Sequence, residues 1–143
     1  WESMDRPLVA VGCVIVQGDR VLLVRRKKPP NQGLLAIPGG KVEYGETLEQ
    51  AVIRETLEET GLLVSPKKVM AIIDLIREGF HYVIVDFLCD LKGGVPKAGS
   101  DASEIVWLGK NELMRMGMSP STYEMLKRFF SGEELPLRIT AKE

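Results

Sequence analysis

The sequence predicts an α/β (α+β) sandwich, in which a mixed central sheet built mainly from hairpins is flanked by helices. Residues 8–16 and 20–26 are rich in Val, Ile and Leu and are separated by a Gln-Gly-Asp turn, which is typical of a β-hairpin. Residues 68–78 and 80–91 repeat this pattern around Gly79. Helical patterns lie between the hairpins and near the C-terminus. Because the strands come as hairpins, the sheet is not a repeated strand-helix-strand winding.

A basic stretch ends the first hairpin and leads into a proline-rich loop at residues 29–33. Arg25 and Arg26 occupy alternate positions of a strand, so only one of them can face a given pocket. Lys27 and Lys28 are interpreted as solvated surface charges, which is the usual role of a basic cluster.

The next segment predicts a loop, a helix and a second loop that act as one unit. Gly39 and Gly40 allow the main chain to approach a ligand closely, because glycine has no side chain. The helix begins at Glu46 or Thr47 and ends at Gly61, a residue suited to a left-handed C-terminal position.

Three acids of this helix, Glu55, Glu58 and Glu59, fall within an arc of about 100° on one face. Two glutamates about 5 Å apart repel by roughly 3 kcal/mol at an effective dielectric near 20. A hard divalent cation with oxygen ligands, Mg²⁺ or Mn²⁺, would relieve this repulsion. The alternative is a solvated acidic helix. The cation site is favoured because the same face continues an apolar one, formed by Leu48, Ala51 and Val52.

The second hairpin carries two polar residues of interest. Asp86 shares a face with Tyr82, Ile84 and Leu88, so it is either satisfied by hydrogen bonds or lines a pocket. His81, at the start of the strand, is expected to be partly exposed rather than catalytic.

The remaining chain predicts a loop at residues 93–103, a strand at 104–108 and two helices at 110–116 and 120–130. The loop is a natural place for substrate contacts. The apolar stripe of the second helix is interpreted as core packing, with a protein partner as the alternative. Residues 133–143 are a tail that either adds an edge strand or frays.

Composition narrows the class of protein. With 143 residues, 45% of them hydrophobic, the chain is expected to form a single domain over residues 1–143. A net charge of −1 gives no basic field for nucleic acid, and the apolar runs are too short to span a membrane. The expected location is the cytoplasm. Cys13 and Cys89 lie in apolar runs and are interpreted as buried free thiols. Residues 1–3 are interpreted as a vector-derived leftover.

The acidic helix and its flanks resemble the Nudix (MutT-like) hydrolase family. The resemblance extends over most of residues 8–110 and is closest to small ADP-ribose pyrophosphatases in the stretch 34–45. Thr56 departs from the pattern, which usually has an aliphatic residue there. The residues that match the Nudix box are Gly40, Glu46, Arg54, Glu55, Glu58, Glu59, Gly61 and Leu62.

The resemblance implies a Nudix-like α/β/α sandwich and Mg²⁺-dependent hydrolysis of a nucleoside diphosphate linked to another group. It implies that Glu58 and Glu59 are metal ligands, that Glu55 is a further ligand or the general base, and that the Gly39 carbonyl completes the sphere. Arg54 would orient the acids, with support from Glu46.

Substrate contacts are also implied by the resemblance. Arg26 would bind phosphate, and Gly39 and Gly40 would lie against the substrate. Glu104 is a further ligand or base, or else an exposed residue at a strand entry. No serine or cysteine nucleophile motif accompanies His81, and a metal-activated water makes one unnecessary.

ADP-ribose or a nucleotide sugar is the first substrate expected, although no proline occurs between Pro66 and Pro96, where many ADP-ribose pyrophosphatases carry one. The runner-up is a nucleoside triphosphate pyrophosphohydrolase that cleans the nucleotide pool. A non-catalytic nucleotide-binding regulator is the third hypothesis, and the retention of all three acids argues against it. The expected partners are a small nucleotide and a second copy of the chain in a homodimer.

Overall fold

The computed structural model describes residues 5–99 and 101–142, and residues 1–3 lie outside this range. Its strands form one mixed sheet of eight strands with two helices packed against it. The elements in chain order are β1 (Leu8–Gln17), β2 (Arg20–Arg26), β3 (Leu35–Ala36), β4 (Gly39–Lys41), α1 (Leu48–Thr60), β5 (Leu62–Arg77), β6 (Phe80–Gly94), β7 (Ala102–Gly109), α2 (Pro120–Phe130) and β8 (Leu137–Lys142).

The sheet is organised around β1, which has different partners along its length. One side of β1 pairs in parallel with β6. The other side pairs with β4 at Ala10, Val11 and Gly12, and then with β2 at Val16 and Gln17. The remaining strands extend the sheet on both sides, giving the order β3-β2-β1-β6-β5-β8, with β7 beside β2. This divided edge of β1 brings the glycine-rich β4 next to the centre of the sheet.

Each face of the sheet buries its own apolar core. On one face, Val52 of α1 packs with Cys13 of β1 and Phe87 of β6. On the other face, Leu126 of α2 packs with Val14 of β1. Neighbouring residues of β1 enter opposite cores because side chains alternate along a strand. The predicted sandwich is therefore confirmed, and the apolar stripe of α2 is core packing.

Both predicted hairpins are present, although the second is longer than expected. β1 and β2 pair around the turn at Gly18. β5 begins at Leu62 and β6 continues to Gly94, so the predicted loop at 93–103 is shorter. β5 contains Pro66 near a shift in its register with β6, a position where a strand tolerates proline.

The boundaries of α1 follow from its caps. The side chain of Thr47 accepts a hydrogen bond from the Gln50 N–H, and Gln50 reciprocates at the Thr47 N–H. Gly61 ends the helix with φ of 74°, a left-handed conformation that favours glycine. Thr56 is fully buried, and its hydroxyl donates to the Val52 carbonyl at 2.7 Å. This local bond satisfies the hydroxyl where the family pattern has an aliphatic side chain.

The helix predicted at residues 110–116 is wrong. Only one 3₁₀ turn forms, at Lys110–Glu112, and the backbone is extended at Leu113. The following residues are held by β3 instead, because the Leu35 N–H donates to the Gly117 carbonyl and the Ser119 N–H donates to the Leu35 carbonyl. Gly117 has φ of 89°, which a helix cannot contain.

Within residues 133–143, the predicted alternatives were an edge strand and a frayed end. The structure has the edge strand, since β8 pairs in parallel with β5 from Leu137 to Lys142. Among the described residues, no helix is long and apolar enough to cross a membrane.

Candidate active site

A glycine pair lies where β4 meets the acidic helix. Gly39 is the register partner of Gly12 on β1, and its N–H donates to Glu59 Oε1 at 3.0 Å. A Cβ added to Gly40 would lie 2.3 Å from Glu55 Oε2. A side chain at Gly40 would therefore displace the Glu55 carboxylate. Glycine is required at both positions, because the main chain at Gly39 lies close to β1 and the main chain at Gly40 lies close to the Glu55 carboxylate of α1.

Arg54 ties together the acids of the box. Its Nε and Nη2 donate to the two oxygens of Glu46 at 2.6 and 2.8 Å, and Nη1 donates to Glu55 at 2.8 Å. Nη1 also reaches Glu58 at 3.3 Å, and Nη2 reaches the Lys41 carbonyl. The hydrogen bond from Arg54 lowers the pKa of Glu46 to about 2. Glu46 is therefore a permanent anion that fixes the guanidinium.

The three predicted acids do not occupy equivalent positions. Glu59 is buried and Glu55 is nearly so, and both line a cleft beside the glycine pair. Glu58 is 45% exposed, lies outside that lining and turns toward Arg54. Over residues 5–99 and 101–142, no three acidic, histidine or cysteine side chains are grouped closely enough to hold a metal.

Burial raises the pKa values of Glu55 and Glu59, and the hydrogen bonds that these two carboxyls accept offset only part of this effect. Burial raises the pKa of Glu59 to about 8, despite the opposing hydrogen bond from Gly39. Burial also raises the pKa of Glu55, and the hydrogen bond from Arg54 opposes this. Each is raised further by a nearby acid, Asp101. These carboxyls carry a repulsion that a cation would relieve.

Asp101 is a residue that sequence reasoning did not identify. It lies in the predicted substrate loop, which is anchored to the end of α1 because the Gly99 N–H donates to the Glu59 carbonyl at 3.0 Å. Asp101 lines the same cleft as the two inward acids and forms an ion pair with Lys28 at 3.0 Å. The sequence pointed to Asp101 only indirectly, through the prediction that the loop at residues 93–103 contacts the substrate.

The two adjacent arginines of β2 point to different places, as alternation requires. Arg26 lines the cleft, donates to the Pro30 carbonyl at 2.7 Å and lowers the pKa of Glu59 through its charge, against the larger effect of burial. Arg25 forms a salt bridge with Glu104 and donates to the Gly33 carbonyl. Glu104 is 46% exposed and does not line the cleft. The structure thus brings Arg26 to the acids and leaves Glu104 outside.

The cleft has a volume of about 670 Å³, within the usual range for small-molecule sites. Its first part, called here the acidic limb, is formed by Gly39, Gly40, Glu55, Glu59 and Asp101. Its second part, called here the apolar limb, is formed by Ile73, Leu75, Phe80, Tyr82 and Ile84 of the second hairpin.

Two buried polar residues also line this cleft. Asp86 is 2% exposed, and burial raises its pKa to about 7. The alternative that it lines a pocket is therefore the one observed. Asn31 is 7% exposed, and its N–H donates to the Glu78 carboxylate at 3.0 Å. This bond fastens the proline-rich loop to the turn between β5 and β6. His81 is exposed, as predicted.

The two cysteines are free and buried, as predicted. A hydrogen bond with Cys13 and burial both raise the pKa of the Cys89 thiol. They belong to the core beneath α1 and do not line the cleft.

The acidic limb suits a hard divalent cation by its donor chemistry. Glu55 and Glu59 supply carboxylate oxygens at reduced solvent exposure, and the raised pKa of Glu59 shows that its charge lacks a sufficient partner. Mg²⁺ is typically held by one or two carboxylates together with substrate phosphates, so a third inward acid is not required.

Comparisons with known proteins identify the family. The NUDIX domain family model matches residues 6–129. An ADP-ribose pyrophosphatase of Methanocaldococcus jannaschii is 41% identical over 113 residues, which cover 77% of this chain and 66% of that protein. A mouse 8-oxo-dGDP phosphatase is 32% identical over 94 residues, 66% of this chain and 28% of that protein.

Among solved structures, a Nudix hydrolase from Nitrosomonas europaea superposes with a TM-score of 0.82 at 26% identity, covering 98% of this chain and 82% of that chain. Enzymes with this domain generally use divalent metal ions and act on small nucleotide substrates. The chain belongs to the Nudix hydrolase family and is a hydrolase of pyrophosphate bonds.

Proposed function

We propose that the chain hydrolyses, with Mg²⁺, the diphosphate of a nucleoside diphosphate linked to another group, and that ADP-ribose or a nucleotide sugar is its substrate. The observation that carries the proposal is that Glu55, Glu59 and Arg26 line one cleft. The relative from M. jannaschii, named an ADP-ribose pyrophosphatase, supports the choice of substrate.

Glu59, Glu55 and the Gly39 carbonyl would hold the cation, with Glu58 as a ligand if its side chain leaves Arg54. When bound, the cation supplies neutralisation of charge on the diphosphate and lowers the pKa of water. Mn²⁺ has similar preferences and is expected to substitute for Mg²⁺.

The protein's own groups divide the remaining work. Arg26 binds a substrate phosphate through charge-assisted hydrogen bonds. Arg54 holds Glu55 in place through its hydrogen bond, while Glu46 anchors the guanidinium. Glu55 is either a further ligand of the cation or the base that accepts the proton of the attacking water, and burial raises its pKa, which favours uptake of a proton. Asp101 is a second candidate for this proton, because it faces the same limb. Gly40 leaves the space that Glu55 occupies.

The test is Glu58→Gln combined with Glu59→Gln. We expect Mg²⁺-dependent turnover of ADP-ribose to fall by orders of magnitude while the thermal unfolding transition is retained. Glu49→Gln is the matched control, because Glu49 lies exposed in the first turn of the same helix. Unchanged turnover in the double variant would refute the assignment of the acids.

A second candidate function is hydrolysis of a nucleoside triphosphate, including oxidised nucleotides. A relative from Bacillus subtilis, 29% identical over 131 residues and named a putative 8-oxo-dGTP diphosphatase, favours it. A panel of ADP-ribose, nucleotide sugars, dinucleoside polyphosphates and triphosphates separates the two, with products resolved by chromatography. AMP with ribose phosphate identifies the first function. A nucleoside monophosphate with inorganic pyrophosphate identifies the second, and no turnover of any nucleotide favours a binding module.

The proposal also includes a cytoplasmic location and a homodimer. The two buried thiols that remain unpaired support a reducing compartment. Fractionation of the source cells tests the location. Sedimentation of the purified chain tests the dimer, and a single monomeric species at micromolar concentration would exclude it.

A further inference from the structure

Two buried oxygen atoms without a hydrogen-bond partner lie on the same cleft. Over the described part of the chain, the buried side-chain atoms in this condition are Asn31 Oδ1 and Asp86 Oδ1. Both residues line the cleft and both are more than nine-tenths buried. Unsatisfied buried polar atoms are rare because each costs stability. Their convergence on one cleft leaves both atoms available to a molecule bound there.

The buried Asp86 carboxyl lies against a neighbour that has no side chain. Gly12 is the register partner of Asp86 across the β1–β6 pair. A Cβ at Gly12 would lie 2.1 Å from Asp86 Oδ1 and 2.7 Å from the Cδ1 atom of Ile37. Any other residue at position 12 would therefore overlap the Asp86 carboxyl, which lies over the main chain of Gly12. Glycine at this position leaves room for the Asp86 carboxyl, which is one of the residues that line the cleft.

Asp86 lies two strands away from Gly39, a residue of the acidic limb. Gly12 pairs with Gly39 on its other side, so Gly39, Gly12 and Asp86 lie on three adjacent strands. Adjacent strands are about 4.8 Å apart, which puts the main chain of Asp86 roughly 10 Å from that of Gly39. A nucleotide whose phosphates lie at Gly39 can reach Asp86 with its nucleoside half.

The surroundings of Asp86 suit a flat ring. Phe80, Tyr82 and Ile84 are alternate residues of β6, on the same face as Asp86. The rings of Phe80 and Tyr82 are stacked with centroids 5.8 Å apart. Ligand sites typically combine such an apolar lining with a few placed polar groups. A nucleobase has the apolar faces and the polar edge that this limb and Asp86 would contact.

We propose that Asp86 determines nucleobase specificity by accepting a hydrogen bond from an amino group or ring N–H of a base held in the apolar limb. The inference rests on the proposed function, since it takes the substrate to be a nucleotide. Because the oxygen is buried and unpartnered without ligand, an analogue that lacks the donor leaves it unpaired. Discrimination against such an analogue is expected to be about ten- to hundredfold.

The experiment uses two pairs of probes that each differ by one amino group. The first pair is ADP-ribose and its purine analogue without the 6-amino group. The second is GDP-mannose and its hypoxanthine counterpart. We measure kcat/KM for each probe with the parent protein, with Asp86→Val and with Asp86→Ala. Asp90→Val is the matched control, because Asp90 lies on the same strand but is 56% exposed and outside the cleft.

The parent protein is expected to discriminate at least one pair by about tenfold or more. Asp86→Val should reduce that ratio to within about threefold and unfold at the same temperature or higher, because it removes an unpaired buried oxygen. Asp90→Val should keep the parent's ratio. If the ratios of the parent and Asp86→Val agree, the inference is overturned. Should Asp86→Val fail to fold, Asp86→Ala decides by the same comparison, since it also removes both carboxyl oxygens.

If the proposed function is wrong, the parent protein hydrolyses none of the probes, which differs from hydrolysis without discrimination between them. If the parent turns over no probe, calorimetric binding of AMP and of purine riboside monophosphate replaces kinetics, and a ratio insensitive to Asp86 overturns the inference. A 2′-deoxyribose analogue of ADP-ribose tests the sugar as the source of the donor. If Asp86→Val abolishes the difference in kcat/KM between ADP-ribose and this analogue, but no difference within the two pairs of probes that vary the base, Asp86 contacts the ribose. The inference that it contacts the base would then be overturned.

Discussion

The main-chain N–H of Gly39 donates to Glu59 Oε1 at 3.0 Å, so the glycine loop and the acidic helix are joined through a residue of the candidate metal site. The bond uses one oxygen of a buried carboxyl. Glu59 is therefore held toward the cleft by the backbone before any ligand binds. A change in the loop must alter the position of the acid.

Alanine at the two adjacent glycines is expected to have different effects. A Cβ at Gly40 meets only the end of the Glu55 side chain, which can move. Gly40→Ala should therefore lower turnover of ADP-ribose by about tenfold or more and leave the melting temperature nearly unchanged. A Cβ at Gly39 lies 2.1 Å from the Val11 carbonyl, so Gly39→Ala should destabilise the fold by about 1–3 kcal/mol. Thermal unfolding and kinetics of both variants check this, and equal unfolding of the two would contradict it.

Arg54→Lys is expected to lower kcat/KM about ten- to hundredfold, because an ammonium cannot replace the two-point contact with Glu46 while also holding Glu55. Arg128→Lys is the control. Arg128 of α2 makes a similar bridge between Glu124 of the same helix and Glu133, which follows the helix, and it does not line the cleft. Steady-state kinetics on both variants measure the difference. Equal losses would mean that the effect is one of folding.

The binding of Mg²⁺ is expected to release protons and to strengthen as pH rises. The pKa of Glu59 is raised to about 8, so this acid is largely neutral at pH 6 and must lose its proton to become a ligand. Calorimetric titrations at pH 6, 7 and 8 in buffers of different ionisation enthalpy measure both quantities. Glu59→Gln should remove the proton release. An affinity for Mg²⁺ that is independent of pH would contradict the assignment.

Asp86 is expected to make the fold less stable as pH rises. Its pKa is about 7 in the folded protein against about 3.9 in an unfolded chain, so the folded state holds the extra proton between these values. The free energy of unfolding should then fall toward neutral pH, by on the order of 1 kcal/mol per pH unit in this window. Glu59 contributes in the same direction, so the comparison is with Asp86→Asn. Urea unfolding from pH 4 to 8 should give a flatter profile for the variant.

Arg26→Ala is expected to raise the KM for ADP-ribose by about tenfold or more, since it removes a charged donor from the cleft. Arg25→Ala should change KM less, because Arg25 pairs with Glu104 outside the cleft. Initial rates over a range of substrate concentrations decide between them. A larger effect for Arg25 would reverse the assignment made from strand alternation.

Local patterns predicted the elements whose determinants lie within a few residues. α1 begins and ends where Thr47 and Gly61 indicate, and both hairpins follow their turns. The segment at 110–116 was mispredicted, and the residues that follow it, Gly117 and Ser119, bond to Leu35, which is far away in sequence. Helical periodicity cannot report such a contact.

In the candidate site, too, local spacing predicted some positions, while others depend on contacts made only in the folded chain. The spacing of the box put Glu55, Glu58 and Glu59 in equivalent positions on one face, whereas in the structure Glu55 and Glu59 line the cleft and Glu58 does not. The difference arises from Arg54, whose contacts depend on folding. Asp101 could not be distinguished from other loop acids, because its place depends on how the loop joins the end of α1. The roles of all these residues in catalysis remain predictions.

The bond between Asn31 and Glu78 joins segments that are 47 positions apart in the chain. Both residues have positive φ, 62° and 53°, a conformation that few residues other than glycine and asparagine adopt readily. Natural or designed exchange of one segment without the other would leave a mismatched wall around the ligand. The proline-rich loop and the distant hairpin turn should therefore be transplanted together, as a single cassette, when the selectivity of this enzyme is redesigned.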